Sequence, residues 1–268
     1  MLQHLKAVWM FRYFWMSLVR MDLRTRYRRS VLGIFWSLLQ PIAMSGIMCV
    51  VFSRLFEMTK EVPGYPAPWA AYAAFLLPGM AVWEFIRNSA GIGCNALIHN
   101  EAYIRQCPLP YGIYPLRTVM GTAIHFMLSM LVIVTLVCLL RQSFEPLTML
   151  WAVLPMFVLL FLFCWAVATL TAFATVYFHD TTHLVEVGGQ LFFFMTPIIY
   201  ESEKLGNAAW LAEINPVVVY LNVIRDPLWK CELPPMEQYF AAFGLTAVAV
   251  GLACGTIGWL QKRVIFQL

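Results

Sequence analysis

Between Ser30 and Ser53 the chain carries no charged side chain, while Arg24, Arg26, Arg28 and Arg29 crowd the short stretch just before it. A helix rises 1.5 Å per residue, so about 20 apolar residues cross a hydrocarbon layer of about 30 Å. Stretches of that length with charge confined mainly to their ends predict six spans, at 31–56, 69–93, 111–140, 147–177, 184–200 and 238–260. The second is interrupted by Glu84 and Arg87, and the fifth is short and carries Glu186. The fourth lies in an uncharged run longer than a perpendicular crossing needs, which predicts tilt or a projecting end. This is the pattern of an all-α polytopic membrane protein.

Polar positions ahead of the first span have a helical period of their own. Lys6, Tyr13, Ser17, Arg20 and Arg24 fall on one stripe, with Val8, Phe11, Trp15 and Leu18 opposite and Arg12 off the stripe. The spacing predicts an amphipathic helix within residues 1–29 that lies along the membrane interface, its apolar side in lipid and its cations among anionic headgroups. A plain positive tether would need the arginines but not the stripe. Lys and Arg are retained on the cytoplasmic side. Lys6 and the arginines up to Arg29 precede the first span, and Lys262 and Arg263 follow the last, so both termini are expected in the cytoplasm. Residues 201–230 hold apolar stretches too short to cross, separated by Gly206 and the Asn215-Pro216 break. They fit short helices lining a watery cavity at membrane depth, or an amphipathic lid outside the membrane.

Composition agrees with the pattern. The chain is 61% hydrophobic and 12% charged with mean hydropathy +0.72. A soluble domain is nearer to half apolar and about a quarter charged. One membrane domain over residues 1–268 is the expectation. Seven cysteines, mostly in apolar runs and without a CxxC pair, read as buried fillers rather than a disulfide framework. The N-terminus, with Lys6 and Arg12 among aromatics, does not read as a signal peptide.

The chain holds no G-x-x-x-x-G-K-[ST] loop, no G-x-S-x-G, no H-E-x-x-H and no dinucleotide fingerprint. ATP-derived work would therefore come from another polypeptide. His179 and His183 would share one face of a helix, as a metal site requires. They fall in a short connection with no cysteine or third histidine near, so they read as a solvated loop or helix start and no metal is assigned. Asp180 and Thr181 suit the beginning of a helix. Glu84 and Arg87, three apart, can pair on one helical face. His125 reads mainly as a hydrogen-bonded core residue.

The ordered motifs resemble a family. Ser30, Leu32, Gly33, Trp36, Leu39 and Pro41 stand in the pattern S-x-L-G-x-x-W-x-x-L-x-P, following a basic run and entering the first span. "LLPGMAVWEFI" at Leu76–Ile86, "HDTTHLVEVGGQLFFFMTPIIY" at His179–Tyr200 and "INPVVVYLNVIRDPLW" at Ile214–Trp229 agree as well. Together they are similar to the ABC-2 type polysaccharide-export permeases, membrane subunits that move O-antigen, capsule or teichoic-acid chains. The Ser30–Pro41 pattern leans toward the O-antigen and teichoic-acid branch.

The resemblance implies a permease subunit in the inner (cytoplasmic) membrane, with two copies forming a channel and two copies of a separate ATPase docked on the cytoplasmic face. ATP and Mg would belong to that ATPase. This chain would hold no cofactor, break no covalent bond and bind no nucleic acid. Residues 96–110 would be the coupling loop, with Asn100, Glu101, Tyr103, Ile104 and Arg105 docking. Arg24, Arg26, Arg28 and Arg29 would form the basic rim where a lipid-linked glycan enters. Re-entrant helices within 201–230, with Pro197, Tyr200, Asn215, Pro216, Tyr220 and Arg225, would gate the exit. A glycan conduit needs aromatic faces and a few polar groups. The channel candidates are Trp36, Tyr72, Trp83, Phe85 and Tyr114, with Glu84, Arg87 and His125. Trp69, Trp151 and Trp259, near span ends, suit an interfacial belt. Rival readings are an ABC-2 exporter of capsule, teichoic acid, or a small lipid or drug, a non-transporting scaffold subunit, and a membrane-embedded glycosyl- or acyltransferase. For the last, His179, Asp180 and His183 are too few.

Overall fold

The computed structural model describes residues 10–27, 35, 39, 42–44, 46–48, 50–51, 63–106, 109–202 and 210–267. Every extended element among them is helical. In chain order these are α1 (Arg12–Tyr27), α2 (Pro68–Cys94), a 3-10 turn at Ile98–Asn100, and α3 (Glu101–Gln106). Then come α4 (Ile113–Arg141), α5 (Glu145–Thr148), α6 (Leu150–Tyr177), α7 (Thr181–Met195), α8 (Trp210–Ile214), α9 (Pro216–Trp229) and α10 (Met236–Val264).

Four of these, α2, α4, α6 and α10, are long and apolar enough to cross a membrane. They run along the second, third, fourth and sixth expected stretches. Their ends follow local chemistry. Pro68 opens α2 at a position where its missing N–H is no loss. Helix α4 stops at Gln142, which turns left-handed (φ 55°) and returns its N–H toward the Cys138 and Leu139 carbonyls. Lys262 and Arg263 occupy the last turn of α10, where cations suit the helix dipole.

One expectation lies mainly outside the described residues and another changes. The first span, 31–56, falls largely outside the described residues. The fifth, read as 184–200, is the shorter helix α7, which at 15 residues is about 22 Å long and less than a hydrocarbon layer. It ends just before Thr196-Pro197, where the proline has no N–H to continue the ladder.

Helix α2 is the axis of the bundle. It packs against α4, α6 and α9. In its apolar window 83% of positions are buried within the chain, against 28% for α10, so α2 is screened from lipid while α10 shows it a flank. Small residues permit this crowding. A Cβ on Gly93 would stand 2.7 Å from Ala168 Cα, so the backbones of α2 and α6 touch there. Trp69, Trp151 and Trp259 are all exposed.

Helix α1 keeps Tyr13, Ser17 and Arg20 exposed, as its stripe predicts. The opposite side departs from expectation. Trp15 and Leu18, read as lipid-facing, are 9% and 6% exposed. Trp15 and Val19 pack on Ile113, with Leu116, Met120 and Ile124 around them. Those four α4 positions form one helical face, so an apolar ridge of the protein takes the place expected for lipid.

The helix ends gather at two poles. One holds the ends of α2, α6 and α10 with α3 and the start of α4, joined by Leu97, Ile104, Tyr114, Phe173 and Val264. At the other, the Tyr65 hydroxyl donates to the Trp229 carbonyl (2.8 Å), as does Arg141 Nη1 (3.2 Å). Gly64 is required beside them. Its φ is +88°, and a Cβ would meet the Arg141 guanidinium at 2.7 Å. Burial pushes the Tyr65 hydroxyl up to about 12, against the opposing pull of Arg141, so it stays a donor.

Candidate functional site

The segment after α2 presents a polar outside on an apolar base. Ala96, Leu97 and Ile104 are buried against Phe173, Ile257 and Val264. Glu101 opens α3 and Arg105 closes it, each at the end the helix dipole favours, and they pair at 2.7 Å on the surface. The five docking candidates therefore divide. Glu101, Tyr103 and Arg105 face outward to differing degrees, whereas Asn100 and Ile104 are each 7% exposed. Of the last two, Ile104 lies in the apolar base and Asn100 is an internal tie. Asn100 Nδ2 donates to the Ala96 carbonyl (2.8 Å), and its Oδ1 accepts from Arg117 Nη1 (2.7 Å).

Arg117 and Asp22 were not singled out by the sequence. Arg117, in the first turns of α4, reaches back to α1, where Nε donates to Asp22 Oδ2 at 2.6 Å and Nη2 to Oδ1 at 2.5 Å. The two partners are 95 positions apart in the chain. The available signal was a lone cation at the edge of an otherwise uncharged run, a placement that is costly without a partner. A cavity of about 460 Å³ opens beside this cluster, lined among others by Asp22, His99, Asn100, Tyr103, Arg117 and His125. His125, a channel candidate, is thus half-buried at this cavity.

At the other pole the gate candidates come together. Asn215 caps α9 by accepting the Val217 N–H (2.9 Å), with Pro216 at the first helical position. Asn215 Nδ2 also donates to Thr196 Oγ1 (2.8 Å), which in turn donates to the Phe192 carbonyl (2.6 Å). Arg225 is 4% exposed. Its Nη1 donates to the Pro197 carbonyl (2.9 Å), its Nη2 to Asn222 Oδ1 (3.1 Å), and its guanidinium lies 4.2 Å from the Phe75 ring centre. Dipoles and a ring face thus offset the loss of hydration. Tyr72 donates to the Ile199 carbonyl (3.0 Å), and Tyr220 is joined to Thr246 Oγ1 at 2.7 Å. Tyr200, half-buried, donates to the Phe194 carbonyl (2.7 Å). Leu221 and Ile198 each stand 3.7 Å from where a Cβ of Gly79 would be, so the turn and α9 meet α2 well inside its length. A second cavity, of about 370 Å³, lies alongside, lined by Ser202, Glu213, Val219, Asn222 and Gln238 among others.

Several channel candidates are core residues instead. Tyr72, Trp83, Phe85 and Tyr114 are at most 6% exposed. Phe85 stacks on Phe126 at 4.7 Å and Trp83 meets Phe193 at 5.7 Å, so their faces are already occupied. For the three on α2 the cause is its central position, which turns inward what a peripheral helix would present to a lumen, while Tyr114, at the start of α4, is buried in the cluster of Leu97 and Phe173. Glu84 and Arg87 make no salt bridge within 4.0 Å, although they lie near enough for the Arg87 charge to act on Glu84. The exposed Arg87 lays its Cγ 3.8 Å from where a Cβ of Gly189 on α7 would stand. Among the basic-rim residues, Arg24 and Arg26 belong to the backbone of α1, while Arg28 and Arg29, with Trp36, lie outside the described residues. Helix α7 begins at Thr181, so His179 precedes the helix that carries His183. No cluster of three or more metal-ligating side chains occurs among the described residues.

The chain has relatives among known proteins. The chain is similar to an O-antigen export system permease protein RfbA of Myxococcus xanthus, 26% identical over 268 residues, covering 98% of this chain and 97% of that one. It is similar also to a Klebsiella pneumoniae protein of the same name, 26% identical over 206 residues and 76% of each chain. Residues 13–229, a stretch that holds the Arg117 cluster and the packed turn and α9, match the model of the ABC-2 type transporter family. The chain belongs to the ABC-2 type transporter family, as a multi-pass membrane subunit of a transporter.

Proposed function

We propose that this chain is the permease subunit of an ATP-driven exporter that carries a lipid-linked polysaccharide, O-antigen in the first place, across the inner membrane. The observation that carries this reading is the likeness, over nearly the whole of both chains, to a protein named for O-antigen export. The Ser30–Pro41 pattern supports it. Two copies enclose the conduit, with both termini in the cytoplasm. Glu101, Tyr103 and Arg105 offer the polar contact for a separate ATPase, which binds the ATP and Mg, and Leu97 and Ile104 beneath them carry its motion into the bundle. The glycan enters with its pyrophosphate at the basic rim of Arg24–Arg29, and it leaves past the turn and α9, which act as the re-entrant gate. Glu84, Arg87 and His125 are the polar groups still placed to meet cargo, since the buried rings of Tyr72, Trp83, Phe85 and Tyr114 serve packing.

Deletion of the gene in its host tests this directly. Lipid-linked polymer should accumulate inside the cell and surface glycan should disappear, with both restored by the intact chain. Surface glycan unchanged by the deletion would overturn the reading.

A further inference from the structure

Helix α1 and the coupling segment have little direct contact. Among the described residues α1 packs on α4, and the cavity of about 460 Å³ has Asp22 of α1 on one wall and Ala96, His99 and Tyr103 on another. Arg117 crosses this gap. Through Nε and Nη2 it grips both oxygens of Asp22, and through Nη1 it holds Asn100, whose amide is anchored to the Ala96 carbonyl. The contact of Trp15 and Val19 with the α4 ridge is an apolar one, and apolar packing by itself permits a helix to roll or slide. A guanidinium fork on a carboxylate is directional and resists both.

We propose that Arg117 is a positioning residue that makes α1 follow the coupling segment, so that displacement of residues 98–106 by the ATPase moves the interfacial helix on which Arg24 and Arg26 are carried. This rests on the reading of that segment as the docking site. It adds a path by which nucleotide binding adjusts the place where substrate is admitted as well as the pore itself. Asp22 is half exposed, which suits a joint that must shift without breaking the fold.

The test is hydrogen exchange on the complete transporter in lipid nanodiscs, with and without ATP and vanadate, together with ATP hydrolysed per glycan exported. In the wild type, amides of both 98–106 and 12–27 should change protection on adding nucleotide. With Arg117→Ala the segment should still respond while α1 falls silent, and the ATP used per exported chain should rise. Asp22→Asn, which removes the ion pair and leaves the Asn100 arm in place, should likewise silence α1, and Arg117→Lys, which keeps the charge without the fork, should retain part of the α1 response. An α1 response that survives Arg117→Ala would overturn the proposal. So would an Asp22→Asn chain that unfolds at the wild-type temperature and keeps the full α1 response. A wild-type segment that responds beside a silent α1 would overturn this proposal alone, and a silent segment would overturn the docking reading along with it.

Discussion

Arg117 and Arg225 both sit where a helix bundle has little water to offer, and their surroundings are opposite. Arg225 is held by the Pro197 carbonyl, the Asn222 amide oxygen and the face of Phe75, with the part-buried carboxylate of Asp226 3.7 Å from its Nε. Arg117 is held by a carboxylate that is 47% exposed and by an asparagine at the rim of a cavity. A buried cation held by fixed dipoles and a part-buried carboxylate has few other arrangements of similar energy, so the turn at 196–200 and α9 are locked to α2. A cation whose main partner keeps half its hydration can exchange that partner for water at low cost. The first is suited to hold a plug and the second to serve as a joint.

The comparison is broken most severely by Arg225→Ala. Deleting the cation leaves Asp226 and two carbonyl groups without their partner inside the protein, a loss of roughly 3 kcal/mol or more by analogy with other severed buried pairs. Thermal unfolding in detergent should show a large drop, and export should fail with it. Gly93→Val comes next, because the obstacle is the Ala168 backbone rather than a movable side chain. Overpacking of that kind costs about 1–3 kcal/mol and should loosen the seam between α2 and α6. Tyr220→Phe removes the bond to Thr246 while keeping the ring against Phe163, for about 1 kcal/mol. Glu101→Gln closes the series, since an exposed i,i+4 pair contributes less than about 0.5 kcal/mol. Its midpoint should barely move while ATPase association in a pull-down weakens. A Glu101→Gln chain that lost stability instead would erase the distinction between the buried pole around Arg225 and the exposed surface of α3.

The long helices were legible because a hydrocarbon layer imposes one length on every crossing, and α2, α4, α6 and α10 each fill it with apolar side chains. The polar connection after α2 was legible as a connection too, through its polarity and its closing prolines. Orientation within the helices was not. Helix α6 is apolar all round, and such a helix has no periodicity to mark which side meets protein and which meets lipid. Helix α2 is apolar on most sides as well, so Trp83 and Phe85 could be assigned to a lumen on composition and yet stand in the core. Glu84 and Arg87 illustrate a second limit, since correct spacing on a helix permits a pair without requiring one. Asp22 and Arg117 illustrate a third. Their attachment depends on α1 folding back along α4, which no local window of residues 12–27 contains. Asn215-Pro216, by contrast, was readable as a helix start because cap and proline act within two residues of each other.

The brevity of α7 has a consequence for the surrounding lipid. Acyl chains beside it meet a cylinder about a quarter shorter than the layer they form. They must thin to match it, or admit headgroups and water at its end. Either adjustment lowers the dielectric barrier along this flank, so polar groups enter the bilayer most easily there.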